Sequence, residues 1–309
     1  MGGTVGPVSA SRLAATIITL RRRRARDHCA IRVLSNVPSR SHSFLVWFCL
    51  WALVPSPTSG QPLGGPRPAA LVASEFGLLT GLRTGLDIRS LGGAAADQAF
   101  DWDVDMIIDL DLVDLGFVRS NLFIGYEQMV GGQKRNIDPN QNSYAIDGSL
   151  FFPLPRGEVG AFFHHISRHL VDRATEESIS WNMVGGSYTE RAIAAQVELE
   201  AGIRGMFTVE RAGVDYRGQV EAHVSAIRPL NDRVAVVGRA EGVVVPVDRL
   251  MFGRTTQRGG RLEGGLRFYG NIASVDAFVG WEQRIDASFG KVDTLRWVTT
   301  GLRVVAAVP

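Results

Sequence analysis

Hydrophobic and polar residues alternate along most of the chain from Leu78 onward. In one segment the apolar residues at 102, 104, 106, 108, 110 and 112 are separated by aspartates and Ile107. Successive side chains of a β-strand point to opposite faces, so a period of two predicts strands with one apolar and one polar face. About twelve such segments follow one another, which indicates an all-β protein whose sheet separates two media.

The connections between these segments alternate in length. Short joints fall near residues 113, 153, 228 and 269, and longer ones span residues 131–141, 170–176, 205–213, 246–257 and 284–293. Short turns at one end and long loops at the other are typical of outer-membrane barrels, in which closure removes every free sheet edge. We therefore predict a closed antiparallel up-and-down transmembrane β-barrel of about 12 strands. A soluble lipocalin-like or sandwich protein is the alternative.

Aromatic residues fall near the ends of the predicted strands, where a membrane barrel places its interfacial girdles. They include Trp102, Tyr126, Tyr144, Phe152, Trp181, Tyr188, Tyr216, Phe268, Trp281 and Trp297.

The first part of the chain predicts export. Residues 1–60 are interpreted as a leader plus signal peptide with an apolar core at 44–54, residues 61–72 as a Pro/Gly-rich joint, and residues 73–309 as the barrel. Eleven apolar residues are too few to cross a bilayer as a helix, which needs about 20. For residues 44–54 the alternative is a buried core helix. For the residues before them the alternative is a mitochondrial transit segment. We expect the mature protein in the bacterial outer membrane.

Removal of residues 1–60 changes the charge and the cysteine content of the chain. The remaining residues carry 25 basic and 30 acidic side chains, which argues against nucleic acid as a partner. Cys29 and Cys49 both lie in the removed part, so we expect no disulfide or thiolate chemistry in the mature protein.

Five aspartates at odd positions form the strongest charge feature. We expect them on the lumen face of one strand, opposed by arginines such as Arg83, Arg119, Arg261 or Arg267, because like charges in a row require neighbouring cations. Calcium binding and a cation-selective pore lining are alternatives to such an ion-pair lattice. The aspartates are Asp101, Asp103, Asp105, Asp109 and Asp111.

Three histidines crowd into one predicted strand, where His165, Ser167 and His169 share a face. The run from His165 to Asp172 resembles the His-x-Ser-x-His-Leu-x-Asp segment of a family of predicted bacterial outer-membrane barrels of unassigned function. That resemblance covers about ten residues and implies a barrel but no activity. A zinc site shared by His165 and His169 is excluded, because residues four apart on a strand lie about 13 Å apart.

A second resemblance is to outer-membrane phospholipase A, a twelve-stranded barrel with a His-x-Ser pair on one strand and an Asn, preceded by Trp, one strand later. His165, Ser167 and Trp181-Asn182 stand in that order. The resemblance implies Ser167 as nucleophile, His165 as general base and Asn182 as the orienting group, together with calcium and a dimer.

The chain departs from the phospholipase pattern in three ways. Arg168-His169 replaces the Asn-Gly that follows the family's serine, and the spacing to Asn182 is longer. Asn182 also alternates with Ile179, Trp181 and Met183, so we expect its side chain to face the lumen, on the wrong side for a lipid-facing site.

Two functional hypotheses remain. The first is a non-enzymatic outer-membrane barrel, structural or weakly pore-forming, with a filled polar lumen, in which the histidines, Ser167 and Asn182 are lumen or rim residues. The second is an outer-membrane lipid hydrolase. No phosphate loop, CxxC pair or HExxH motif supports a nucleotide, redox or zinc enzyme. We expect outer-membrane lipids and the barrel-assembly machinery as partners and no cofactor, with calcium entering only under the hydrolase hypothesis.

Overall fold

A computed structural model describes residues 76–93, 100–131, 137–171, 178–289 and 293–308. The predicted leader, signal peptide and joint lie outside these residues, as does Asp172 of the histidine-rich motif. Among the described residues, no helix is long and apolar enough to span a membrane.

Twelve antiparallel strands form one closed barrel in which each strand pairs with its neighbours in sequence and β1 pairs with β12. This confirms the fold class and strand number predicted from the alternation. One short helix, α1 (Arg249–Phe252), lies between β9 and β10. The strands are β1 (Gly77–Gly92), β2 (Trp102–Asp114), β3 (Arg119–Gly131), β4 (Asp138–Leu154), β5 (Gly157–Leu170), β6 (Ser178–Ala194), β7 (Val197–Ala212), β8 (Gly218–Asn231), β9 (Val234–Val245), β10 (Gln257–Tyr269), β11 (Ala273–Ile285) and β12 (Thr294–Val308).

The two faces of the barrel wall differ sharply in chemistry. On β1 the outward-facing Leu86 and Ile88 are 36% and 39% exposed, whereas Asp87 and Arg89 between them are 7% and 1% exposed. The other strands likewise place apolar side chains on the outer surface and charged ones inside, which is the reverse of a water-soluble protein. An apolar outer surface and a polar interior are the arrangement of a barrel that spans the outer membrane.

Aromatic residues at the long-loop end do not all belong to an interfacial girdle. Trp181, Tyr216 and Trp297 are 5%, 5% and 1% exposed, so they are buried, contrary to the sequence expectation. Trp181 and Tyr216 pack edge to face, with ring centroids 5.1 Å apart, in a cluster that includes Met183. Trp181, Met183 and Tyr216 therefore belong to an apolar cluster near the long-loop end of the lumen, which we call the apolar plug.

The connections alternate between short turns and longer loops around the whole barrel. One predicted loop is wrong: residues 205–212 continue strand β7, and the connection to β8 occupies residues 213–217. The glycines at 205 and 213 suggested a loop, but Gly205 lies within the strand and only Gly213 has a positive φ, of 72°.

The turn between β6 and β7 consists of Ala195 and Gln196, with φ of 49° and 64°. Two positive φ values are the geometry of a type I′ hairpin turn, which favours Asn and Gly because a Cβ is strained there. Neither residue carries a turn signal, and the alternation of apolar and polar residues runs through both of them.

This turn gives a stability prediction. We expect Gln196→Gly to be more stable than Gln196→Ala by about 1 kcal/mol, because only glycine removes the left-handed strain. Both substitutions delete the same side chain, so its contacts cancel in the comparison. Urea unfolding of the barrel in lipid vesicles measures the difference, and equal stabilities would contradict the turn assignment.

Candidate active site

The aspartate row predicted from sequence faces the lumen along β2, except for Asp101, which is exposed and precedes the strand. Arg83 pairs with Asp109, and Arg119 contacts Asp111 at 2.7 Å. Arg261 and Arg267 bind other carboxylates, Glu241 at 2.8 Å and Asp276 at 2.6 Å. Because Asp103 and Asp105 are paired by other arginines, the lattice differs in detail from the sequence expectation.

Arg89 and Arg284 form ion pairs with Asp103 and Asp105, the aspartates of β2 nearest the long-loop end. Arg284 contacts Asp103 at 2.5 Å, Glu127 at 2.8 Å and Glu282 at 2.8 Å. Arg89, itself 1% exposed, bonds Asp105 and lies 3.8 Å from Asp103. Several carboxylates thus share two guanidinium groups in the lumen.

Three connections at the long-loop end meet at Arg254 and Asp286. Arg254 contacts Asp215 and Asp286, each at 2.5 Å, and the Tyr216 hydroxyl donates to Asp286 over 2.7 Å. Burial, followed by the negative charge of Asp286, raises the pKa of Tyr216, which keeps this phenol protonated as a donor. Arg168, from the barrel wall, donates to the backbone carbonyl of Asp286 over 2.5 Å. Three connections and the wall are therefore joined at one point.

The side chains of the histidine-rich motif on β5 point alternately into the lumen and to the outer surface. His164 and Arg168 are buried in the lumen, where His164 bonds Asp147. His165, Ser167 and His169 lie on the other face, in line with Phe163, which is 43% exposed. The three residues therefore sit on the outer surface of the barrel, near its long-loop end, and not in the lumen.

Asn182 on β6 shares that outer surface. It pairs directly with His165 in the register, and the Asn182 Oδ1 lies 2.6 Å from the His165 Nδ1. The sequence predicts Asn182 in the lumen, since its apolar neighbours Trp181 and Met183 would then face lipid. Both of those neighbours are buried in the apolar plug, and this reverses the polarity of the strand locally.

Ser167 lies between two imidazoles on the same face. Its hydroxyl oxygen lies 3.1 Å from the Nε2 of His169, whose ring contacts Tyr144 with centroids 5.8 Å apart. Tyr144 in turn packs against Tyr126 at 5.3 Å. This places the serine at the edge of a small aromatic cluster on the outer surface.

Glu210 on β7 extends the polar group beyond Asn182. The amide nitrogen of Asn182 donates to a Glu210 carboxylate oxygen over 2.8 Å. No sequence pattern identifies Glu210, and the phospholipase resemblance does not include it. Only the strand register, which no sequence pattern states, brings Glu210 beside Asn182.

An apolar groove adjoins these polar residues on the outer surface. It has a volume of about 710 Å³ and is lined by Leu150, Phe163, Val184 and Phe207, with glycine backbone as its floor. Phe163 and Val184 are each two residues from His165 and Asn182, on the side toward the short-turn end. The groove therefore runs from the polar group toward the middle of the barrel wall.

One cluster of acidic side chains among the described residues could hold a metal ion. The carboxylates of Asp103, Asp105 and Glu127 place oxygens within 4.8 Å of one another, the one such group among the residues that the structure describes. It lies in the lumen, on other strands, and Arg284 already pairs with Asp103 and Glu127.

No family model and no curated protein matches this sequence. Among solved structures, the outer membrane phospholipase dimer of Salmonella typhi with bound calcium has a TM-score of 0.46 at 10% identity, covering 72% of this chain and 90% of that one. The phospholipase A of Escherichia coli scores 0.45 at 14% identity, covering 73% and 95%. LpxR from Salmonella typhimurium scores 0.44 at 8% identity, covering 72% and 99%. The chain is a closed twelve-stranded barrel of the outer-membrane type, as its strand order and its two contrasting faces show.

Proposed function

We propose that this barrel hydrolyses ester bonds of outer-membrane lipids, with Ser167 as nucleophile, His165 as general base and Asn182 as the group that orients the imidazole. One observation carries the proposal: His165, Ser167 and Asn182 share the outer surface of the barrel, with 2.6 Å between His165 and Asn182. A serine hydroxyl needs an imidazole to take its proton, and a third group to hold that imidazole.

The reaction proceeds in two halves. The Ser167 hydroxyl attacks the ester carbonyl while its proton passes to the Nε2 of His165, and the protonated imidazole then returns the proton to the departing alcohol oxygen. Water, deprotonated by the same nitrogen, attacks the acyl-serine, and the imidazolium returns that proton to the departing Ser167 oxygen as the fatty acid is released. The hydroxyl has to turn from His169 toward His165 first, a rotamer change that takes picoseconds to nanoseconds for exposed side chains.

The surroundings of the three residues suit a lipid ester. The polar residues lie near the long-loop end, where lipid headgroups meet water, and the groove beside Phe163 and Phe207 extends from them along the apolar wall. A lipid of the surrounding leaflet would place its ester bond at the polar residues with its acyl chain toward the membrane centre.

Covalent labelling tests the proposal. The refolded barrel, residues 61–309 in detergent, is incubated with an alkanesulfonyl fluoride, which sulfonylates an activated serine and releases fluoride. We expect the label on Ser167 by peptide mass spectrometry, together with phospholipid hydrolysis measured with calcium and with a chelator. Absence of both label and turnover in folded protein would overturn the proposal, and turnover only with calcium would add a metal to it.

A structural barrel without enzymatic activity is the second candidate. The lattice around Arg89 and Arg284 and the plug at the long-loop end favour it over an open pore, because charged and apolar side chains occupy the lumen. Planar-bilayer conductance tests the pore: a steady ohmic current would contradict a filled lumen.

A further inference from the structure

Glu210 reaches the outer surface through an irregularity in β7. The pairing of β6 with β7 shifts between Asn182 and Met183, so that Asn182 pairs with Glu210 and Met183 with Thr208. Val209 is the extra residue of a β-bulge, which re-aims the side chain that follows it. Without the bulge, Glu210 would share the orientation of Thr208, away from Asn182.

The chemistry of a carboxylate fixes the orientation of Asn182. A carboxylate only accepts hydrogen bonds, so the amide nitrogen of Asn182 must face Glu210, as it does over 2.8 Å. The amide oxygen must then face His165, 2.6 Å away. An amide oxygen also only accepts, so the Nδ1 of His165 must carry the proton and its Nε2 is left with the free lone pair.

We infer that Glu210 is a positioning residue that sets the tautomer of His165 through Asn182. This inference rests on the proposed function, because a bare Nε2 is what the general base needs. Asn182 alone does not decide the tautomer, because an amide that turns over presents its nitrogen and would place the imidazole proton on Nε2. Glu210 excludes this turned-over amide, because its carboxylate cannot donate a hydrogen bond to the amide oxygen.

A charge reversal at this position tests the inference directly. Lysine only donates hydrogen bonds, so Glu210→Lys should turn Asn182 over and move the neutral imidazole proton of His165 to Nε2. Glutamine both donates and accepts, so Glu210→Gln should give a mixture of the two tautomers. The measurement is ¹⁵N NMR of histidine-labelled full barrel in micelles at pH 9, where imidazoles are neutral. Loss of signals in His165→Ala assigns the resonances.

The matched control is Glu190→Lys. Glu190 lies on the same strand as Asn182, about 26 Å from it along the strand. Its carboxylate accepts a hydrogen bond from the Tyr188 hydroxyl. It changes the same charge without contact to Asn182, so the His165 tautomer should be unchanged. Phospholipid turnover should fall about tenfold or more in Glu210→Lys and stay near wild type in the control.

The outcomes separate this inference from the proposed function. A tautomer that moves in Glu210→Lys while no variant hydrolyses lipid would uphold the positioning role and remove the hydrolase. A tautomer that stays on Nδ1 in folded Glu210→Lys would overturn the positioning role, even if wild-type turnover is high.

Discussion

Replacement of Ser167 by alanine is expected to lower kcat for phospholipid hydrolysis by about 10³-fold or more. The substitution removes the attacking oxygen and leaves the His165–Asn182 hydrogen bond, 2.6 Å long, in place. Loss of a nucleophile abolishes the covalent route, and only binding and local electrostatics can then assist the reaction. Fatty-acid release from mixed micelles, measured with purified refolded protein, gives the rate.

Ser180→Ala is the matched control for this experiment. Ser180 pairs directly with Ser167 across β5 and β6, so it lies on the same outer surface at the same height. The control loses an identical hydroxyl but no candidate catalytic group, and it should hydrolyse lipid at nearly the wild-type rate. Equal activity of Ser167→Ala and wild type would remove Ser167 from the mechanism.

Replacement of Arg284 by methionine is expected to lower the free energy of unfolding by about 3–5 kcal/mol. The guanidinium group contacts Asp103, Glu127 and Glu282, and Asp103 is fully buried. Removing one partner of a buried ion pair leaves an uncompensated charge, which costs much more than the pair itself contributes. Equilibrium unfolding in denaturant, with the barrel in lipid vesicles, measures the loss.

Two further variants separate charge from packing. Arg296→Met removes an exposed arginine of β12 that bonds Gln283, and it should change stability by less than about 0.5 kcal/mol. Asp103→Asn in the Arg284→Met background removes the stranded charge and should recover part of the loss. An Arg284→Met barrel as stable as the Arg296→Met barrel would mean that the lattice does not stabilise the fold.

Strand number and closure could be predicted because the membrane imposes a simple rule on a barrel wall. Every strand must show apolar residues to lipid and polar ones to the lumen, so a period of two appears again and again. On β1 and β2 that rule holds over nearly the whole strand, and the predicted faces match the observed ones.

The candidate site was harder to predict because the rule fails at the long-loop end. There the lumen holds an apolar plug, so Trp181 and Met183 point inward and Asn182 points outward. Glu210 depends on a bulge at Val209, whose position is a property of the pairing between two strands. A single sequence lists residues in order but does not state which strand positions oppose each other.

The opposite faces of β5 have a consequence for how this protein can change. Ser167 and Arg168 are adjacent in the chain, yet one side chain lies on the outer surface and the other donates to the backbone carbonyl of Asp286 inside the barrel. Odd-numbered positions from 161 to 169 can therefore vary in reactivity while even-numbered ones keep the barrel folded. Along this strand, selection for chemistry and selection for stability act on alternate residues. A substitution that changes one property can therefore leave the other unchanged.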